Sequence, residues 1–321
     1  MGVGLHLPSR VVTNQDLEKT LDTSDEWIRD RTGIRERRWL EPGLTTSDMC
    51  LAAAQEALED SGVRAAEIGA VIVATSATYD QPLPSMALMV RDALGATNAI
   101  PLDLSQSACA GGVYGMFLGS HLLQNDLMRN VLVIGADCFS RVTDPQDRTT
   151  RIFFGDAAGA VVMGRSAPAR GLMSWDMNAA LSHSVSISAG GATTPTTPKT
   201  AEEGMQYLRM DGRTVWREAT KWIPESIRLA LKPLGALPHE VDHYIVHQAN
   251  LRILQHVMDD LQVPHSRAEI TVDRYGNTGA ASIFTALHQA TRGERIAAGD
   301  LLVISGIGAG FTWGTLCLIA E

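Results

Sequence analysis

The sequence predicts an α/β fold made of two copies of one unit. Three observations carry that expectation. Short apolar runs of strand length alternate with segments of helical spacing, which favours mostly parallel sheets covered by helices on both faces, with sites at strand-to-helix corners. The order of these segments occurs twice: a strand at 71–74, a small-residue corner at Cys109 with its helix and a strand at 130–135 are matched by a strand at 242–246, a corner at 275–280 with a helix at 282–290, and a strand at 300–306. Each half also closes on a glycine-punctuated strand, 155–163 and 310–318. The halves are expected at 1–165, with the cysteine, and 166–321, with a histidine and an asparagine at matching corners. At 321 residues and 45% hydrophobic composition, the chain can bury a large core.

Taken in order, Gly2-Val-Gly-Leu5 leaves little room for a complete first strand, and a native start site upstream of Met1 would supply it. Asn14 or Thr13 caps a short helix carrying Leu17 and Leu21, and Thr23-Ser-Asp-Glu-Trp27 starts a second with acidic residues in its first turn. The cluster Arg29, Arg31, Arg35, Arg37 and Arg38 reads either as a solvated face or, beside Trp27, as a stacking surface for a flat anionic ligand. A helix over 46–61 stops at Gly62 before a strand at 70–74, and the Gly, Thr and Pro of 189–203 read as a surface excursion.

A net charge of −9 argues against nucleic acid as the main partner. No apolar run reaches membrane-spanning length and the start lacks a secretory pattern, so the expected location is cytoplasmic, with no membrane partner. Cys50, Cys109, Cys138 and Cys317 show neither zinc-type spacing nor a disulfide framework, and no metal site is expected; Cys317 reads as strand packing.

The chemistry falls in residues 106–114, where a strand at 100–104 gives way to an apolar helix over 113–123 and Cys109 lies at the corner. A thiol at a helix start faces unpaired N–H groups and the positive end of the helix dipole, which favour thiolate; the alternative is a small buried core residue. His247 alone reads as a satisfied buried histidine and Asn277 alone as a turn residue. Brought together beside a thiolate, the two offer N–H donors that polarise a carbonyl and hold an enolate.

Four ordered motifs, Ser107-Ala-Cys-Ala-Gly111, His247-Gln-Ala-Asn-Leu-Arg252, Tyr275-Gly-Asn-Thr278 and Gly310-Phe-Thr-Trp-Gly314, resemble the β-ketoacyl-(acyl carrier protein) synthase III family of the thiolase superfamily. The likeness runs over nearly the whole chain, through Asp22-Thr-Ser-Asp-Glu-Trp-Ile28, Arg31-Thr-Gly-Ile-Arg-Glu-Arg37 and Phe154-Gly-Asp156. It implies a thiolase-like five-layer αβαβα sandwich, a homodimer and a two-stage reaction without a permanently bound cofactor. Cys109 takes an acyl group from acyl-CoA; His247 and Asn277 then stabilise the enolate of decarboxylating malonyl-acyl carrier protein, which attacks the acyl-enzyme. The resemblance further implies oxyanion donors at the N–H groups of Cys109 and Ala309, an adenine sandwich at Trp27 and Arg148 with Arg31 beside it, and a pantetheine tunnel at Gly212, Trp216 and Asn250. Arg217 and Arg252 match carrier-protein docking positions, with a solvated surface as the alternative.

Departures from the family pattern bear on the primer. Leu83 stands where acetyl-specific members have a phenylalanine reaching across the dimer. Gly112, Ile307 and Ala309 replace an aromatic, a phenylalanine and a glycine. With Phe154 also assigned to the acyl pocket, the loss of aromatic bulk implies a primer larger than acetyl. Ala309 additionally requires a negative φ. Transfer to a hydroxyl or amine is the alternative; the intact His/Asn pair favours carbon–carbon bond formation. Retention of Cys109 argues against a non-catalytic scaffold, and Ser305-Gly-Ile-Gly-Ala-Gly310 lacks the second cysteine of a degradative thiolase.

Overall fold

A computed structural model describes residues 2–105 and 107–321; Gln106, which opens the cysteine stretch, lies outside the described residues. Two sheets organise the chain. The first joins β1 (Gly2–His6), β7 (Asp156–Gly164), β6 (Asn130–Cys138), β4 (Ala70–Thr75) and β5 (Ile100–Ser105) in that spatial order, and the second joins β8 (Gly171–Ala179), β13 (Thr312–Ile319), β12 (Leu301–Gly308) and β11 (His243–Val246). Read from β1 and from β8, pairings in both sheets run antiparallel, antiparallel, parallel, and the first sheet adds β5 in parallel. The repeat in the sequence is thus a repeat of strand order and direction. Two small ribbons, β2 (Val11–Thr13) with β3 (Glu36–Arg38) and β9 (Val185–Ile187) with β10 (Leu208–Met210), lie outside the sheets.

Five layers follow from where the helices bury their apolar faces. On the outside of the first sheet pack α3 (Thr46–Ser61) and α4 (Met86–Ala93); between the sheets lie α5 (Gly111–Leu122) and α11 (Ser282–Arg292); beyond the second sheet lie α8 (Gly212–Leu231) and, against it, α9 (Leu251–Asp260). The central strands β4, β6 and β7 are buried on both faces, as their unbroken apolar runs require. α3 spans the segment expected from the sequence and stops, as expected, at Gly62, which is left-handed; a capping box at Thr45 with Asp48 starts it.

Short helices α1 (Asn14–Glu18), capped by Thr13, and α2 (Asp25–Thr32), capped by Ser24, precede β3. The remaining short helices are α6 (Arg148–Arg151), α7 (Pro198–Glu202) and α10 (Val272–Tyr275); α7 interrupts the largely exposed 189–203 excursion, with Thr197 as its cap and Pro198 at its first position. The opening residues Gly2–His6 form an edge strand that pairs along its length with β7. Among the described residues, no helix is long and apolar enough to cross a membrane.

Candidate active site

Two strand-to-helix corners, after β5 and after β11, and the loop between α10 and α11 meet at one largely apolar cavity that Cys109, His247 and Asn277 all line. Between β5 and α5 the chain makes a tight 3-10 turn, Ala108–Ala110, with Cys109 at its centre. Ala108 has φ +48°, a left-handed conformation costing about 1–2 kcal/mol for a residue with a side chain. Packing holds the turn: the Thr312 hydroxyl donates to the Ser107 carbonyl at 3.1 Å, and Gly308 lies so close that a Cβ there would come within 2.8 Å of the Cys109 nitrogen.

His247 follows β11, and its backbone N–H donates to the Ser305 carbonyl at 2.8 Å. Its ring Nδ1 is hydrogen-bonded to the Ser282 hydroxyl at the start of α11. Burial pushes its pKa down to about 3, so the imidazole is neutral near pH 7.

Asn277 is fixed across the two halves. Its N–H donates to the Phe153 carbonyl at 2.8 Å, and its carbonyl accepts from the Gly155 N–H at 3.0 Å. The Gly279 N–H donates to its Oδ1 at 2.9 Å, which identifies that atom as the oxygen and leaves the Nδ2 protons without a partner among the described residues. A long contact of 4.0 Å joins the Cys109 thiol to the same Oδ1.

The resting thiol differs from the expectation. Burial pushes Cys109 above the ordinary thiol range, the charge of Asp137 adds to this, and the Asn277 contact opposes it. Cys109 is half-buried and lines a largely apolar cavity, the surroundings that favour the neutral thiol.

Asp137 itself was not singled out by sequence reasoning. Its carboxylate is fully buried at the end of β6 and accepts from the Ser76 N–H (2.9 Å) and hydroxyl (2.8 Å), the Thr78 hydroxyl (3.0 Å) and the Ala280 N–H (2.9 Å). It thereby ties the first sheet to the segment carrying Asn277. The available signal was an acidic residue inside an apolar strand, which must find several donors to be buried. Burial raises its pKa to about 6 against those hydrogen bonds.

These two shifts have opposite signs for stability. His247, about 3 folded against 6.5 unfolded, gives stability that is present above pH 6.5 and lost as pH falls towards 3. Asp137, about 6 folded against 3.8 unfolded, gives stability that is present below pH 3.8 and lost as pH rises through 6. Relative to a His247→Ala variant, the wild type should lose about 1.4 kcal/mol per pH unit below 6.5. Denaturant unfolding at pH 7, 6 and 5 checks this; a pH-independent difference would contradict a buried neutral histidine.

A second cavity shares Phe154, Met210, Val215 and Asn277 with the first and continues past Gly212, Trp216 and Asn250. Trp216 also borders an outer groove lined by Arg252. Asn250 caps α9, and its Nδ2 donates to the Arg31 carbonyl at 3.3 Å. Trp27 is flanked by Arg148 and Arg31, whose guanidinium carbons lie 5.3 and 5.9 Å from its ring centre. Arg217 and Arg252 are exposed and pair with Glu218 (2.8 Å) and Asp30 (3.0 Å). A larger groove beside Arg165 and Glu321 is lined by neither thiol nor imidazole, whereas the smaller cavity has both.

Among the expected acyl-pocket residues, Phe154 and Ile307 line the Cys109 cavity, as does Ala309. Ala309 is not among the non-glycine residues with positive φ, so its methyl is tolerated. Gly112 does not line the cavity and the expectation for it is corrected: a Cβ there would meet the Ala280 carbonyl and the Ile283 and Phe284 side chains within 2.9 Å. Its small size serves the contact of α5 with α11 and adds no room for an acyl group. Leu83 is 82% exposed and also absent from the cavity lining of its own chain.

Comparison with known proteins places the chain in a family. Residues 102–180 match the 3-oxoacyl-[acyl-carrier-protein] synthase III family and residues 231–319 its C-terminal counterpart. The β-ketoacyl-[acyl-carrier-protein] synthase III of Geobacillus kaustophilus is 42% identical over 318 residues, 99% of this chain and 97% of that one. The crystal structure of 3-oxoacyl-[acyl-carrier-protein] synthase III from Aquifex aeolicus superposes with a TM-score of 0.90 at 36% identity, covering 99% of this chain and 98% of that one. The priming β-ketosynthase of the R1128 polyketide biosynthetic pathway gives a TM-score of 0.90 at 33% identity, covering 100% and 95%.

Proposed function

The chain belongs to the 3-oxoacyl-(acyl carrier protein) synthase III family, and on that premise we propose that it joins an acyl-CoA primer to malonyl-acyl carrier protein by decarboxylating condensation. The observation that carries this reading is the convergence of one thiol, one neutral imidazole and one unpartnered amide N–H2 on a single apolar cavity. In the first stage the Cys109 sulfur attacks the thioester carbonyl, the bond to the CoA sulfur breaks, and the thiol proton departs overall with CoA. Backbone N–H groups of Cys109 and Ala309 hold the oxyanion, each on the order of 2.7–4 kcal/mol.

In the second stage carbon dioxide leaves the malonyl group, the imidazole N–H of His247 and Nδ2 of Asn277 hold the enolate oxygen, and the α-carbon attacks acyl-Cys109. The cysteine sulfur is expelled as thiolate and takes a proton from solvent, releasing a β-ketoacyl thioester. Sulfur, imidazole, amide and backbone suffice for these steps, which is why we assign no permanent cofactor. The test is acyl-CoA-dependent release of carbon dioxide from malonyl-carrier protein with acylation of Cys109 followed by intact mass. Acyl transfer to a hydroxyl or amine without carbon dioxide would overturn the reading.

We assign the tunnel past Asn250, Gly212 and Trp216 to pantetheine, the Trp27–Arg148 stack with Arg31 to the adenine, which enters by displacing the Arg148 guanidinium, and Arg217 and Arg252 to carrier-protein docking. The halves divide in the connection between β7 and β8, at 165/166. A homodimer covers the edge of β5, where Ile100 is 53% exposed and no strand pairs among the described residues, and brings Leu83 to the acyl pocket of the second copy. With Ile307 in the cavity and Leu83 at its floor, the primer is larger than acetyl. In a panel of acyl-CoAs, single-turnover acylation should be roughly tenfold or more faster for branched or longer chains than for acetyl. Fastest acylation by acetyl-CoA would contradict this.

A further inference from the structure

We infer that Ser282 sets the tautomer of His247, holding the proton on Nε2 so that the imidazole serves as a donor to the enolate and not as the base for Cys109. The inference rests on the condensation reading above but reaches a different residue. Ser282 is fully buried at the first position of α11, and His247 is 2% exposed. The Ser282 hydroxyl is hydrogen-bonded to His247 Nδ1, and among the described residues it has no other partner. A hydroxyl has one donor and can always accept, whereas each nitrogen of a neutral imidazole does only one of the two.

Two arrangements satisfy the contact. With the proton on Nδ1, the ring donates to Ser282 and the buried hydroxyl proton has no acceptor. When Nε2 carries the proton, the hydroxyl donates to Nδ1, and the donor left over, Nε2–H, belongs to a ring that lines the cavity, where a substrate oxygen can accept from it. An unmade buried donor is costly, so the second arrangement is favoured. The position also keeps the ring uncharged: Ser282 opens an eleven-residue helix, whose unpaired N–H groups and dipole disfavour a positive charge beside it. The ring therefore remains neutral, in agreement with its lowered pKa. Asn277 faces the same cavity with Nδ2 free, so the two side chains offer matching N–H donors to one oxygen. An imidazole fixed as Nε2–H has no lone pair on that nitrogen for the Cys109 proton, which separates the two stages by residue: Cys109 for loading, His247 and Asn277 for decarboxylation.

Ser282 is thus a positioning residue, and its test reads the tautomer directly. In protein labelled with 15N-histidine, the His247 signals, assigned by their loss in His247→Ala, should show a pyrrole-type Nε2 and a pyridine-type Nδ1. The reverse pattern or an imidazolium overturns the inference. Ser282→Ala should slow decarboxylation of malonyl-carrier protein about tenfold while Cys109 still takes an acyl group at the wild-type rate; unchanged decarboxylation overturns it. In a His247→Ala background the same substitution should cause no further loss, and a further loss would assign Ser282 a general packing role instead. Absence of carbon dioxide release by the wild type would sink the condensation reading while leaving the tautomer measurement standing, so the two failures are distinguishable.

Discussion

Replacing Cys109 by alanine is expected to abolish the mass gain on incubation with acyl-CoA and to reduce condensation by on the order of 10⁶-fold, the scale seen when a hydrolase loses its nucleophile. The other thiols cannot substitute. Cys50, Cys138 and Cys317 are buried in strand and helix packing, and burial pushes each above the ordinary range, Cys317 to about 11. None of them lines the cavity with His247 and Asn277. The substitution removes only the sulfur and leaves both enolate donors in place, so slow carbon dioxide release from malonyl-carrier protein should persist without condensation. Intact mass and carbon dioxide release on the same sample test both halves of the expectation. A wild-type level of acyl adduct on Cys109→Ala would remove the cysteine from the mechanism.

The parts of this arrangement that could be read from the sequence are those where residue type and backbone position say the same thing. A thiol between a strand and an apolar helix, a histidine ending an apolar strand and an asparagine before a helix all fall at chain corners, and the repeated segment order makes those corners neighbours. What could not be read depends on directions that a periodic pattern does not contain. Gly112 looked like vacated pocket space, yet its missing side chain would point into Ile283, Phe284 and the Ala280 carbonyl of the other half. The 20-residue helix α8 was not anticipated, because Pro224 interrupts its apolar spacing; in the structure that proline is buried within the helix. Asp137 and Ser282 act through partners 143 and 35 residues away, and a single acidic or hydroxyl residue in an apolar segment does not disclose them. Resting thiol chemistry was misjudged for a related reason. Helix position is visible in a sequence, but the apolar surroundings that push the thiol up come from β12, α8 and the β9–β10 ribbon packed from elsewhere.

Substitutions at Asn277 and His247 should separate the two stages. Loss of one preorganised donor to a developing oxyanion costs about 10²–10³ in rate, so Asn277→Ala and His247→Ala should each slow decarboxylation by that factor. Acylation of Cys109 should be far less affected, since its oxyanion donors are assigned to the backbone. Asn277→Ala also removes the acceptor for the Gly279 N–H, so its effect mixes donation with loop position. Asn277→Asp resolves the mixture: one carboxylate oxygen still accepts from Gly279, while the other replaces the donor Nδ2 and faces the enolate with negative charge. If donation is what matters, the aspartate variant should be at least as slow as the alanine variant; if only loop position matters, it should recover. The double variant should lose less than the product of the single effects, because both donors serve one oxygen and lose their value together. Single-turnover acylation by intact mass, set beside carbon dioxide release from malonyl-carrier protein, distinguishes these cases. Equal losses in both stages would mean that the pair acts on the thiol as well, and would give His247 the role of base.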